Sequence, residues 1–367
     1  MNFRSLTFWM TVFCVAIAPL ANAQNGPLPG MPPVLDPSDI YAADHAGKLS
    51  DAVKGIPERV YVPNSGSDTV DIIDPVTFKI IGHFAVGKQP QHVVPSWDLK
   101  DLWVLNDLGD SLTHIDPKTG QKGETIPVED PYNMYYTPDG KFAIVVAEAK
   151  ARLDFRDPHT MKMVDSLKVP CKGVDHMDFT ADGRYLIASC EFSSTVLKVD
   201  VENRKVIGTL ALEAKGMPQD VKTSPDGKVF YVADMMANGV YLIDPDSFKR
   251  IGFIATGMGT HGLYVSRDSK TLYVSNRGEG SITLIDLATR KIANKWKIPG
   301  KGSPDMGGVS ADGKQLWLSG RYNHEVYVFD TGNGKLLARI PVGKGPHGLA
   351  FFPQPGRYSL GHTGVYR

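Results

Sequence analysis

The chain has 367 residues, and its 40 basic and 40 acidic side chains cancel, so it carries no electrostatic footprint for a nucleic-acid backbone or an anionic membrane surface. Its 37 glycines and 26 prolines, with no sustained helical period, suit a turn-dense all-β protein in which helix is nearly absent. Neither nucleic acid nor a stable membrane anchor is therefore expected as a partner.

Residues 1–23 read as a cleavable signal peptide. Arg4 supplies the positive start, Leu6 to Leu20 the apolar run, and Ala21-Asn22-Ala23 before Gln24 the small-residue cleavage site. The apolar run is too short to span a bilayer and is followed by that cleavage pattern. A periplasmic or secreted protein is expected. Residues 24–57, rich in Pro and Gly and without alternation, read as an extended arm.

From residue 58 onward the chain repeats. Asp74, Asp116, Asp157, Asp200, Asp244, Asp286 and Asp330 each close a short apolar run, at spacings of 41 to 44 residues. Upstream stand Val-Tyr-Val-Pro-Asn at 60–64, Leu-Trp-Val-Leu-Asn at 102–106, Phe-Tyr-Val-Ala-Asp at 230–234 and Leu-Tyr-Val-Ser-Asn at 272–276. Downstream come a second apolar run and turns of the form Pro-Asp-Gly-Lys at 138–141 and 225–228, with Ala first at 311–314. Each unit reads as four short strands, the pattern of one propeller blade. One blade cannot bury both faces of its sheet, so neighbours stack and close a ring. Seven units predict a seven-bladed β-propeller of four-stranded blades over 58–367, as one domain and a monomer.

Once Cys14 leaves with the signal, Cys171 and Cys190 remain, at the same end of the fourth unit. An oxidising compartment favours a disulfide, and the alternative is two buried thiols.

The Tyr-Val-x-Asn strand, the Ile-Asp-Pro or Ile-Asp-Leu strand end, the Val-Gly-x-x-Pro-x-x segment and the Pro-Asp-Gly-Lys turn together resemble the YVTN-repeat β-propeller family of YncE-like proteins, over about 300 residues. More distantly the chain is similar to the haem d1 domain of cytochrome cd1 nitrite reductase. Such propellers serve as binding scaffolds, redox-associated proteins and lactonases, so the resemblance implies a fold and leaves function to the site.

The strand before each Pro-Asp-Gly turn is expected to line the axial channel. The starts of these strands carry His92, Asn133, Asp175-His176, Asp220, His261, Asp305 and His347, including four of the chain's ten histidines. His261 and His347 share one register and His92 and His176 the next, and adjacent strand positions face opposite ways, so the four are not expected all to meet. By family resemblance the following loops reach the same mouth with Glu148, Glu191, Arg277 and Arg321. Residues in step with the seven aspartates build blades, and those out of step are the site candidates.

The expected ligand site therefore comprises His92, His176, Asp220, His261, His347, Glu148, Glu191, Arg277 and Arg321, with His92, His176 and His261 as metal ligands. Imidazole beside methionine suits copper, imidazole beside carboxylate suits zinc or iron, and imidazole beside arginine suits haem. No Cys-x-x-Cys-His occurs, so covalent c-type haem is excluded. The tail 358–367 is expected to add a strand to the first blade, with an alternative in which it crosses a face and brings His362 near the mouth. Two readings follow: a binding protein or scaffold for a small-molecule or protein ligand, or an enzyme, either a haem d1-like oxidoreductase or maturation protein or a lactonase using Glu148, Glu191, His176 and Arg277. No Gly-x-Ser-x-Gly elbow or phosphate loop supports catalysis, which weights the first.

Overall fold

Strands of three to seven residues recur along the computed structural model, which describes residues 26–362 and 365–367. The expected signal peptide falls outside the described residues. Seven four-stranded antiparallel sheets are present, and three short 3-10 turns at Asp51–Val53, Asp107–Gly109 and Glu191–Ser193 are the helical elements among the described residues.

The innermost strands of blades 2 to 7 are Pro90–Pro95, Asn133–Tyr136, Val174–Phe179, Pro218–Thr223, Thr260–Val265 and Pro304–Val309. Blade 1 takes its inner strand, Ala350–Phe352, from the far end of the chain and pairs it with Arg59–Asn64. Each inner strand touches the next, round to the first, so the ring closes on itself.

Stacking rather than intrinsic strand propensity holds the ring. The apolar core divides into seven clusters, each drawn from two neighbouring blades. Strand alternation does this: Val60 and Val62 pack toward blade 7, while Tyr61 between them packs toward blade 2. Each fully buried apolar side chain contributes about 1.5–3 kcal/mol, so no blade is stable alone. The outermost strands are mostly exposed, as in Lys79–Ala85.

The seven aspartates do the local work their repetition implies. Asp74 accepts from the Val76 N–H and the Thr77 hydroxyl, and Asp286 likewise from both groups of Thr289. These bonds hold both carboxyls below their ordinary pKa.

The arm and the tail cover one end of the channel. Leu28 N–H bonds to Asp182 O, Ile40 N–H to Pro225 O, and the Tyr41 hydroxyl donates to Thr223 O at 2.7 Å. The tail does not add a strand to the first blade. That place is already taken by Ala350–Phe352, so the tail crosses the face instead. Tyr358 stacks on Trp97 at 5.2 Å, Leu360 O accepts from Tyr136 N–H, and the His362 N–H donates to Met134 O. It thus lies along the edge of blade 3's inner strand, which is four residues long. Gly361 makes this approach possible: its φ is +86°, and a Cβ there would stand 2.5 Å from Met134 O. Arg367 ends the tail, donating to Asp178 at 2.8 Å and covering the Tyr41 ring.

Candidate functional site at the axial channel

The loops after the second strand of each blade share one face with the starts of the inner strands. Backbone bonds join Asp107 N to Gln89 O, Glu191 N to Gly173 O, Arg277 N to Gly259 O and Arg321 N to Ser303 O. This face is the mouth, opposite the end covered by arm and tail. Going round it by blade, Asp107, Glu148 and Glu191 stand on blades 2 to 4, and Arg277 and Arg321 on blades 6 and 7. The mouth is acidic on one side and basic on the other.

The Cys171–Cys190 disulfide is formed, with Cα atoms 6.1 Å apart. It staples the loop before Val174–Phe179 to the loop bearing Glu191, and so frames the part of the mouth beside His176.

Beneath the mouth all four channel histidines meet, contrary to the expectation from alternation. Ring centroids are 4.8 Å apart for His92–His347, 5.6 Å for His92–His176, 6.4 Å for His176–His261 and 6.1 Å for His261–His347. The reason is a β-bulge repeated at the starts of inner strands. Val174 pairs with Cys190 and Met177 with Ala188, so Asp175 and His176 together oppose the single residue Ser189. The same shift occurs in Pro90–Pro95, Pro218–Thr223, Thr260–Val265 and Pro304–Val309. Two sequence registers thereby converge on one layer.

A fifth imidazole completes it. His362 packs 4.6 Å from His176 and 5.1 Å from His92. Two groups of possible metal ligands result, each with its ligand atoms within 4.8 Å of one another: His261, Asp305 and His347, and His176, Asp220 and His362. All six residues are buried.

Asp305 is the hinge of the first group. Its Oδ1 accepts from Arg277 Nε at 2.9 Å and Nη2 at 2.5 Å, and lies 3.1 Å from His261 Nδ1. Its Oδ2, 3.6 Å from His347 Nε2, has no hydrogen-bond partner. The Arg277 guanidinium is thus committed to Asp305, while Nη1 of Arg321 is buried without a partner. His347 Nδ1 and both nitrogens of His92 also lack partners. The thioether of Met306 sits 3.1 Å from His261 Nδ1. Met134 and Met177 belong to interblade clusters instead.

Burial keeps the imidazoles neutral. The His92 pKa is pushed down to about 3, first by desolvation and then by Arg321. His176, His261, His347 and His362 are all lowered well below their usual range, again first by burial. The carboxyls move the other way. Burial and its acidic neighbours Glu191, Asp107 and Asp130 raise Glu148 to about 8, and Glu191 and Asp175 are also raised. Asp220 rises to about 6 although the Val221 and Leu263 N–H groups donate to it. Neutral imidazoles with an unprotonated nitrogen are the form that ligates metal.

Asp305 and His362 were not among the candidate ligands drawn from the sequence. Asp305 shares the register of His261 and His347, a signal that was available. His362 reaches the layer only through the path of the tail.

Fold and site together define a seven-bladed propeller closed by its own C-terminal strand, with a histidine-rich layer buried on its axis beneath one mouth. A model of the YNCE-like beta-propeller matches residues 22–354, and the chain belongs to that family. Solved structures of the same fold include the Kuenenia stuttgartiensis hydrazine synthase, at 20% identity and TM-score 0.64, with 78% of this chain and 98% of that chain covered. The dihydro-heme d1 dehydrogenase NirN in complex with DHE is 18% identical with TM-score 0.62, over 88% and 82%. A candidate 6-phosphogluconolactonase from Bacteroides uniformis ATCC 8492 is 17% identical with TM-score 0.63, over 80% and 99%. At these identities the likeness is one of fold. No curated protein sequence matches the chain. Among the described residues no helix is long and apolar enough to cross a membrane.

Proposed function

We propose that this protein is a periplasmic or secreted binding propeller that holds a first-row transition-metal ion in its axial channel, with His261, His347, Asp305 and His92 as ligands. The observation that carries this reading is the set of buried polar atoms without partners: both nitrogens of His92, Nδ1 of His347 and Oδ2 of Asp305. Each such atom costs about 1–3 kcal/mol when left unsatisfied, and a shared cation relieves one nitrogen of each ring together with Asp305 Oδ2. Arg277 acts as a positioning residue, fixing the Asp305 carboxylate from behind, as metal-ligating carboxylates are commonly held.

Two imidazoles and a carboxylate suit iron or zinc, and the Met306 thioether beside His261 adds a donor that favours copper. The free Nη1 of Arg321 is a site for an anion that completes the ion's coordination. The acidic loops of blades 2 to 4 supply a route by which cations reach the layer.

A haem-type reading is less favoured because the rings are already packed against one another at 4.6–6.4 Å, and a planar macrocycle between them has to displace His362 with its tail. Elemental analysis of protein purified from its native host without chelators tests the proposal. At least one equivalent of metal in the wild type, with one equivalent fewer in His347→Ala, supports it. Protein free of metal that also fails to take up Cu(II), Zn(II), Fe(II) or Co(II) in titration defeats it, and a Soret-type absorption band in the native protein turns the assignment to haem.

A further inference from the structure

The second ligand group is separate from the first and is built partly from the tail. His176 and Asp220 come from the bulged starts of blades 4 and 5, and His362 from the chain terminus. We infer that the C-terminal tail completes a second transition-metal site in the same channel, with His176, Asp220 and His362 as its protein ligands. This inference rests on the metal-binding reading of the channel and deepens it to two ions.

Three features support the assignment. First, Asp220 and His362 are fixed before any ion arrives. Asp220 is held by the N–H groups of Val221 and Leu263 at 2.9 and 2.8 Å. His362 is held by its backbone bond to Met134 O and by stacking of its ring on Tyr135 at 5.6 Å. Second, the spacing fits. Ligands of one ion at bond lengths of about 2.0–2.2 Å lie roughly 3.3–4.2 Å apart, so atoms within 4.8 Å close on an ion by small side-chain rotations. Third, the Asn133 side chain already points one amide nitrogen at both rings, 3.0 Å from His176 Nδ1 and 3.1 Å from His362 Nδ1. With those hydrogen bonds the ring protons sit on Nε2, His176 Nε2 being 3.2 Å from Asp175 and His362 Nε2 3.8 Å from Asp220. An ion on Nε2 needs the ring protons on Nδ1, and exchange of the Asn133 oxygen for its nitrogen accommodates them at the cost of the bond that oxygen accepts from the Met134 N–H.

The charges facing this group are mixed. Lys222, two residues beyond Asp220 and buried, opposes a cation, as its effect on both imidazoles indicates. Asp220 and Asp178 bring negative charge to the same layer, Asp178 already pairing with Arg367. His92 lies between the two groups, within ring contact of His347, His362 and His176.

The test is the stoichiometry of Co(II) bound by the mature, metal-stripped protein, followed by its visible absorption and by elemental analysis after gel filtration. Two equivalents are expected for the wild-type chain, one for His362→Ala and one for His347→Ala, with distinct spectra for the two singly loaded variants. Because His362→Ala can also loosen the tail, Asp220→Asn is measured beside it, and it too is expected to retain one equivalent. One equivalent in the wild type, or two in both His362→Ala and Asp220→Asn, overturns the second site and leaves the first standing, and loss of both ions in Asp220→Asn overturns the division of the layer into two sites. Zero equivalents in the wild type removes the metal reading of the channel altogether.

Discussion

The Cα of Gly348 lies directly against the imidazole of His92, so closely that a Cβ at position 348 would fall within bonding range of Nδ1 and 2.7 Å from Cγ. The two residues face each other across the seam between blades 1 and 2, where the Gly348 N–H bonds to Gln91 O and the Val93 N–H to Gly348 O. Glycine at this position therefore sets how far His92 advances into the channel, and leaves Nε2 as the nitrogen open to an ion.

Gly348→Ala is expected to push His92 off its position. Overpacking of this kind costs about 1–3 kcal/mol, and a displaced ligand costs roughly 10-fold or more in metal affinity. Gly308→Ala serves as the control, since nothing lies within 4 Å of a Cβ built there. Urea unfolding and Co(II) titration of both variants check this, and equal behaviour of the two would mean that the contact has no consequence.

Arg277→Ala removes the partner of a fully buried carboxylate. Loss of one member of a buried pair destabilises by about 3–5 kcal/mol, with Asp305 left uncompensated. Addition of metal is expected to restore part of that stability, because a cation at Asp305 replaces the lost charge. The measurement is the unfolding midpoint with and without saturating Zn(II). A metal-independent loss would assign Arg277 a purely structural role.

The Glu148 carboxyl gives a pH signature. Its pKa is raised from 4.5 to about 8 in the folded chain, so between these values the folded state binds more protons than the unfolded one. Its contribution to stability is full below about pH 4.5 and is lost as pH rises toward 8. Glu148→Gln removes that dependence. After allowance for solvent screening at a half-buried side chain, the variant is expected to gain about 1–2 kcal/mol over wild type at pH 8 relative to pH 5. The histidines act in the opposite sense. Their lowered pKa values mean that stability is lost as pH falls below about 6.5, so the comparison of variant with wild type, rather than either profile alone, isolates Glu148.

Reduction of the Cys171–Cys190 bridge, or a Cys171→Ser, Cys190→Ser double variant, releases a loop with a sequence separation of 19 residues. The chain-entropy cost of such a loop is about 3 kcal/mol. Because the bridge ties the loop of Glu191 to the loop before His176, metal affinity is expected to fall along with stability. Thermal melts with and without reductant, each paired with a Co(II) titration, separate the two effects. A change in melting temperature alone would confine the bridge to stability.

Blade number, strand order and the duty of Asp74 and its six counterparts were legible in the sequence because each depends on contacts within about forty residues, and the repeat writes them out seven times. The same holds for His92, His176, His261 and His347, which stand at matching places near the turns. What alternation could not convey is the bulge that lets Asp175 and His176 oppose Ser189 alone. A strand with period two sends neighbours to opposite faces, whereas one extra residue brings both registers to the axis.

His362 shows the other limit. It meets Asn133 across 229 residues of sequence, and no local pattern records that approach. Its place follows from the ring having already closed at Phe352, which leaves the tail free to enter the channel along blade 3. The sequence by itself thus determined the propeller and most of the imidazoles lining its axis. Only the tertiary structure decided that they share one layer, that Asp305 and Asp220 divide that layer into two groups, and that the end of the chain supplies the fifth ring, because those relations depend on backbone path and closure rather than on residue type.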